Sequence, residues 1–360
     1  LDEEDTGLFH GFETIRSLES SKVGKTHDSF RTSYFCNMIN PSRIFDVASE
    51  AEFRSLALEI ARFQMENCAI YRDFARLMKV EAVHSLEDIP FLPIRFFKEL
   101  EVVSTPVSEK PLVFMSSGTG EQGRSKHIVT DPSLYQQSYS LGFKQYFGDP
   151  KDWVILALLP NYLEQGNSGL VNMVEGLIAQ SEHPLSGFVL NEMEHVHERY
   201  VQALASGRKC MLFGVSYALL DLAEQGNDFS NAVVVETGGM KGRRKELTKP
   251  ELHEALKQGL NTSEIHSEYG MTELLSQGYC GPDLIFRTPS WMRVVLRDVS
   301  DPQARVPEGH RGAINIIDLA NLNSCSFIAT DDLGKLVPGG FLLEGRVNHA
   351  DIRGCNQMVG

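Results

Sequence analysis

Leu112-Val113-Phe114-Met115-Ser116-Ser117-Gly118-Thr119-Gly120-Glu121-Gln122-Gly123-Arg124-Ser125-Lys126-His127-Ile128-Val129-Thr130 joins two β-prone runs through a loop of hydroxyls and glycines. Glycine removes the side chain that would block close approach, so successive backbone N–H groups can turn toward one anion. Ser116, Ser117 and Thr119 add hydroxyl donors, and Arg124 and Lys126 add positive charge. That is the chemistry of a polyphosphate cradle. Gly118, Gly120 and Gly123 also spell G-x-G-x-x-G, and Gly118 to Ser125 fits a Walker loop except that Arg124 stands where Lys belongs. Those two loops open helices, whereas this one runs into a β-prone segment before Asp131-Pro132 begins something new. A kinase does place its loop between strands, but the chain has no V-A-I-K, H-R-D or D-F-G. A hairpin tip without a ligand is the plain alternative.

The chain of 360 residues has room for two domains, or for one large domain with an appendage. Its 42% hydrophobic and 23% charged content is that of an ordinary globular protein. A formal net charge of −14 argues against general nucleic-acid or anionic-membrane binding, so any phosphate site must be a local basic patch. No apolar run approaches the ~20 residues that span a bilayer, so stable membrane insertion is not expected. Leu1-Asp2-Glu3-Glu4-Asp5 has no secretory pattern. The six cysteines at 36, 68, 210, 280, 325 and 355 are scattered without a C-x-x-C, which fits reduced thiols and a cytoplasmic setting. Cys68, Cys210 and Cys325 read as small buried hydrophobes.

Phe53, Leu56, Ile60, Phe63, Ile70, Phe74 and Leu77 recur at helical spacing and predict one or two amphipathic helices whose stripe is packing. After Trp153 strands and helices alternate. Trp153–Leu159, Cys210–Val215 and Ala232–Val235 read as strands buried on both faces, with helices over Leu170–Ala179, Tyr217–Gln225 and Lys249–Gln258. Beyond Trp291 the pattern turns β-rich, with Met292–Leu296, Ala313–Leu319, Ser326–Ala329 and Phe341–Leu343. A parallel α/β core with a helical start and a β-rich later part is the economical architecture.

Three further segments carry chemistry. Ala232-Val233-Val234-Val235-Glu236-Thr237-Gly238-Gly239-Met240 is a strand running into a glycine turn, the place where an open α/β sheet takes a ligand. In Tyr269-Gly270-Met271-Thr272-Glu273 an aromatic suits a purine, and a carboxylate suits Mg²⁺ between phosphate oxygens. Thr330-Asp331-Asp332-Leu333-Gly334 sets carboxylates after a strand, suited to ribose hydroxyls, although such a run is more often a simple turn.

Taken in order, these segments resemble the adenylate-forming enzymes. Ser116–Lys126 resembles their phosphate loop and Tyr269–Glu273 their Y-G-x-T-E. Thr330-Asp331-Asp332 is similar to T-G-D, with Asp331 in the glycine position, and Gly345-Arg346-Val347-Asn348 is similar to the G-R-x-D hinge, with Asn348 replacing Asp. Within that superfamily, Phe91–Lys98, Leu159–Glu164, Glu236–Gly242 and Ile352-Arg353-Gly354-Cys355 resemble the acyl-protein synthetase of the bacterial fatty-acid reductase system.

The resemblance implies an acyl-CoA-synthetase-like large-domain α/β fold, with the small C-terminal domain and its lysine missing from this sequence. It divides the chain into a mostly helical region 1–105, an α/β core 106–345 and a hinge-like tail 346–360. It implies ATP and Mg²⁺, with Ser116, Ser117, Gly118, Thr119, Gly120 and Lys126 on the phosphates and Lys126 acting in catalysis. Gly238, Gly239, Tyr269, Gly270, Thr272, Asp332 and Arg346 would contact the nucleotide, with Asp332 on ribose and Glu273 supporting the metal. A fatty or other apolar acid would become acyl-AMP and then pass to Cys355, whose thiolate Arg353 would favour. A reductase or carrier protein would receive the acyl group. The rival readings are a coenzyme A ligase related to phenylacetate–CoA ligase and a silent nucleotide-binding scaffold.

Overall fold

The computed structural model describes residues 39–116, 123–160, 167–240, 242–301 and 303–347. The helical stripe forms two helices, α1 (Glu50–Asn67) and α2 (Ala69–Leu77), broken at Cys68, whose backbone is extended. Ser49 caps α1 by accepting from the Glu52 amide at 3.3 Å, while the Glu52 carboxylate accepts from Ala48 N at 2.9 Å. Next come β1 (Leu92–Pro93), the single-turn α3 (Phe96–Glu99), β2 (Leu112–Met115) and β3 (Lys126–Val129). Asp131 and Pro132 open α4 (Pro132–Phe147), Asp131 accepting from Ser133 N and Pro132 occupying a position whose N–H has no helical partner.

The alternating region follows the expected order. It comprises β4 (Trp153–Leu158), α5 (Gly169–Ser181), β5 (Gly187–Phe188), α6 (Val196–Ala205), β6 (Lys209–Val215), α7 (Ser216–Ala223), β7 (Ala232–Thr237), α8 (Lys249–Leu260), β8 (Ile265–Tyr269) and β9 (Gly278–Cys280). Thr248 and Glu251 form a reciprocal capping box at the start of α8. The six strands make one sheet in the order β5-β4-β6-β7-β8-β9, parallel except for β9. Every residue of β4 is buried, as expected of a strand covered on both faces.

The later part adds β10 (Met292–Arg297), β11 (Arg311–Asp318), β12 (Phe327–Val337) and β13 (Gly340–Arg346). They form a second sheet with β10, β11, β12 and β13 successively antiparallel, and with β1 parallel to β12 through Leu92↔Ile328. One continuous apolar core runs through both sheets and the helices. The described cysteines 68, 210, 280 and 325 are all buried free thiols, and burial pushes the Cys210 thiol up to about 12. Among the described residues no helix is long and apolar enough to cross a membrane.

The strand holding Thr330 does not end at Ala329. It continues through Asp331 and Asp332 to Val337, because β11 and β13 hydrogen-bond to it on both sides across a register shift between Ala313 and Asn315. The Asp-Asp-Leu-Gly run is therefore strand rather than turn. Asp331 points to solvent and Asp332 inward, the alternation a pleated strand imposes.

Helix α1 is tied to the second sheet by one buried side chain. The Gln64 amide donates to the carbonyls of Asn321 (3.0 Å) and Leu322 (2.9 Å), and its oxygen accepts from Ser326 N at 2.9 Å. Each buried group left unpaired costs about 1–3 kcal/mol. Gln64→Leu should therefore lower unfolding free energy by at least about 2 kcal/mol, read as a fall in urea midpoint at unchanged m. A midpoint equal to wild type would show that the segment finds other partners.

Candidate functional site

The hairpin β2–β3 closes with Met115 opposite Lys126. One step further, Ser116 N donates to Ser125 O at 3.1 Å and Ser125 N donates to the Ser116 hydroxyl at 3.0 Å. The stem of the expected phosphate loop is thus a strand-to-strand hairpin, with Lys126 exposed at its mouth. Ser117, Gly118, Thr119 and Gly120 lie outside the described residues, as do Arg353 and Cys355.

His127 anchors this stem. The Thr272 carbonyl can only accept, so Nδ1–H of the ring donates to it at 2.9 Å, and Nε2 of the neutral ring accepts from the Ser324 hydroxyl at 2.9 Å. Burial holds the ring neutral by depressing its pKa to about 4. Phe97 of α3 packs edge-on against it at 5.6 Å.

On the far side of Thr272 stands Glu273, 5% exposed. Burial raises its pKa, opposed by a hydrogen bond from Ser125 and by the charges of Lys98 and Arg346. The segment after it is gripped by Asp318, whose carboxylate accepts from Leu275 N at 3.0 Å, Ser276 N at 2.9 Å and the Ser276 hydroxyl at 2.6 Å. Burial nevertheless lifts Asp318 to about 6. Asn321 completes the grip by donating to Glu273 O at 2.7 Å.

Tyr269 ends β8 with its ring set edge-on against Phe286 and Phe341, and its hydroxyl donates to Asp332 Oδ2 at 2.8 Å. Arg346 Nε donates to the other oxygen, Oδ1, at 3.1 Å, although the arginine side chain is 83% exposed. Asp332 thus receives one hydrogen bond on each oxygen, from two different strands.

The end of β7 holds a buried polar cluster that the sequence did not announce. Glu236 is fully buried and paired with Lys249 and the Ser267 hydroxyl, with Ser216 Oγ donating at 2.9 Å. Burial alone would raise its carboxyl, but Lys249, His253 and Ser267 outweigh it and hold the pKa at about 2. Its neighbour Glu268 is pushed the other way, to about 7, by burial, against the donating Thr237 hydroxyl at 2.5 Å. Gly238 follows Thr237 with φ +71°, a turn that suits glycine, and Gly239 comes next. Gly270 is exposed, and a Cβ there would collide with Glu268 Oε1.

Ser116, Lys126, Thr272, Glu273, Tyr269, Asp332 and Arg346 are joined by these contacts into one region. Gly238, Gly239 and Gly270 lie at its β7–β8 edge, beyond the carboxyl ends of parallel strands. Among the described residues no group of three or more His, Cys, Asp or Glu could hold a resident metal. One buried carboxylate beside a hydroxyl fits a Mg²⁺ that arrives on nucleotide phosphates and keeps water ligands. Sequence reasoning missed His127, Asp318, Glu236 and Glu268. Glu236 and Asp318 close apolar strands, and that misplaced polarity was the available signal for them, while His127 and Glu268 stand in mixed segments that carry none.

No family model and no curated protein matches this chain. Solved structures do. The chain is similar to 2-hydroxyisobutyryl-CoA ligase in an open conformation with 2-HIB-AMP and CoA, at 13% identity over 83% of this chain and 70% of that one, TM-score 0.58. The same ligase in its thioesterification state gives 15% identity over 89% and 75%, with TM-score 0.58. This likeness establishes the fold as the adenylate-forming, acyl-CoA-synthetase-like one.

Glu268 generates a pH prediction. Its folded pKa of about 7 lies above the ordinary 4.5, so the folded chain keeps a proton that the unfolded chain sheds. The stability this supplies is complete below pH ~4.5 and is lost as pH rises through ~7. Gln cannot ionise. Relative to wild type, Glu268→Gln should therefore gain stability between pH 5 and 8 by up to about 3 kcal/mol, measured by urea unfolding across that range. A constant difference across the range would show that Glu268 ionises freely in the fold.

Proposed function

We propose that this protein uses ATP to activate a carboxylic acid as its acyl-adenylate and then passes the acyl group to a thiol. The observation that carries this reading is the meeting of the hairpin stem, Glu273 and the Tyr269–Asp332–Arg346 link in one region. The fold adds support, since a protein of the same fold has been crystallised with an acyl-AMP and CoA.

In the first step a substrate carboxylate oxygen attacks the α-phosphorus. A new O–P bond forms, the bond to the bridging oxygen breaks, and pyrophosphate leaves with the electron pair. Positioning and charge neutralisation dominate such a step. Backbone and hydroxyl donors from Ser116, Ser117, Gly118, Thr119 and Gly120, with Lys126, would hold the phosphates. Asp332 would turn its oxygens to the ribose, exchanging the Arg346 contact for ribose hydroxyls. Glu273 would meet the Mg²⁺ that accompanies ATP and supplies charge neutralisation there. Gly238, Gly239, Gly270 and Thr272 would let the nucleotide approach the strand ends closely.

In the second step, on the resemblance to acyl-protein synthetases, the Cys355 thiolate attacks the acyl carbon. A C–S bond forms, the C–O bond to AMP breaks, and AMP departs. That resemblance also makes the acid fatty and the final acceptor a reductase or carrier protein. Coenzyme A as the thiol is the second reading, favoured by the CoA bound in the ligase of the same fold.

The test is intact mass after incubation with ATP, Mg²⁺ and a panel of carboxylic acids, followed by peptide mapping. A hydroxylamine-labile acyl adduct on Cys355, lost in Cys355→Ser, is the expected outcome. Acyl-CoA formation that survives Cys355→Ser would move the assignment to a coenzyme A ligase. No pyrophosphate exchange with any acid, despite retained ATP affinity, would leave a silent scaffold.

A further inference from the structure

Between β8 and β9 the arm from Gly270 to Gln277 forms neither helix nor strand, so other segments must hold it. Glu273 is held there on both sides by side chains. The Glu273 carbonyl accepts from the Asn321 amide at 2.7 Å, and the Leu275 amide donates to Asn321 Oδ1 at 3.0 Å. One peptide earlier, the Thr272 carbonyl accepts from His127 Nδ1–H at 2.9 Å. Ser324, just beyond Asn321, donates its hydroxyl to the other ring nitrogen at 2.9 Å. One imidazole therefore joins the hairpin, the arm and the 321–324 turn.

Strand alternation gives the ring its place. On β3 Lys126 is exposed and His127 is 1% exposed, so one strand turns a cation outward and the ring inward. Phe97, itself fully buried, packs edge-on against the ring at 5.6 Å. Among the described residues β3 pairs only with β2, so its link to the arm is made by side chains. The residue after Lys126 is thus bonded to the residue before Glu273. An apolar side chain would fill the position but leave the Thr272 carbonyl without this donor.

We propose that His127 is a positioning residue of the adenylation step, its ring setting the Glu273 arm against the hairpin stem so that both meet one MgATP in a fixed relation. This rests on the acyl-adenylate reading. His127 touches no reacting atom and transfers no proton. It acts through Thr272, because a step that depends on placement is sensitive to small displacements of the groups around it. The competing role is that of a core residue whose ring nitrogens are merely satisfied.

The experiment compares full-length wild type with His127→Leu, His127→Asn and His127→Gln. Asn carries an amide nitrogen at the Nδ1 position and can restore the bond to Thr272, whereas Gln reaches the Nε2 position and Ser324. Each keeps one of the two bonds, so stability alone gives no reason for one to outperform the other. Thermal melts, hydrogen exchange of the 271–276 peptide without nucleotide, and ATP–pyrophosphate exchange with an acid on which wild type is active are read for each. The expected result is faster arm exchange and about a 10²-fold fall in kcat for Leu and Gln, with a smaller change in KM for MgATP. Asn should recover slow arm exchange and a kcat within about tenfold of wild type. Asn and Gln alike in both readouts overturn the proposal, as does His127→Leu within about threefold of wild-type kcat. If the variants do not fold, wild-type hydrogen exchange with and without MgATP decides: joint protection of 123–130 and 271–276 supports the coupling, and protection of 123–130 alone overturns it. Wild type that neither binds MgATP nor exchanges pyrophosphate with any acid would overturn the acyl-adenylate reading itself, and this role with it. Active wild type beside equally active variants would remove only the histidine.

Discussion

Two carboxylates of the antiparallel sheet hold the end of the parallel one. Asp332 on β12 receives the Tyr269 hydroxyl from β8, and Asp318 at the end of β11 collects the amides of Leu275 and Ser276 just beyond. The segment between, Gly270–Leu274, has to leave β8 as an ordered arm, because both of its ends are clamped by the other sheet. Everything proposed for the site depends on that clamp. Glu273 stands within it, and the hairpin reaches it through His127 and Ser125. Burial strengthens such bonds and also makes their loss costly, so a buried carboxylate accepting several amides is a rigid fixture.

Burial also separates the acids chemically. Glu236 and Glu268 are neighbours at the ends of β7 and β8, yet one is held at about 2 and the other at about 7. The difference is the partner. Lys249 is paired directly with Glu236, while Glu268 accepts from the Thr237 hydroxyl and feels Lys249 only weakly. Glu236 therefore keeps its charge at neutral pH, and Glu268 stands near its point of titration. In a chain of net charge −14, an anion is best met where lysines and arginines collect locally.

Much of the fold was legible in the chain. The buried strands Trp153–Leu159, Cys210–Val215 and Ala232–Val235 read correctly because an apolar run closed by Pro, Gly or a polar residue has few other uses. The loop after Met115 was correctly read as joining two strands, since Ile128-Val129 is β-prone and Pro132 starts a helix. The helix bounds moved by only a few residues. Thr330–Leu333 was harder: Asp-Asp favours a turn locally, but two neighbouring strands supply the hydrogen bonds that keep it extended. Local preference is worth little against a paired ladder.

The sequence by itself determined the order of elements, the apolar faces and the residue types collected for phosphate chemistry, since these depend on spacing and side-chain chemistry along the chain. Only the tertiary structure decided which of those residues meet. Tyr269 and Asp332 are 63 positions apart, His127 and Thr272 are 145 apart, and Gln64 reaches across 262 positions to Ser326. Pairings at such separations leave no periodic trace. They arise when two sheets pack and each buried polar group must find a partner, wherever in the chain that partner lies.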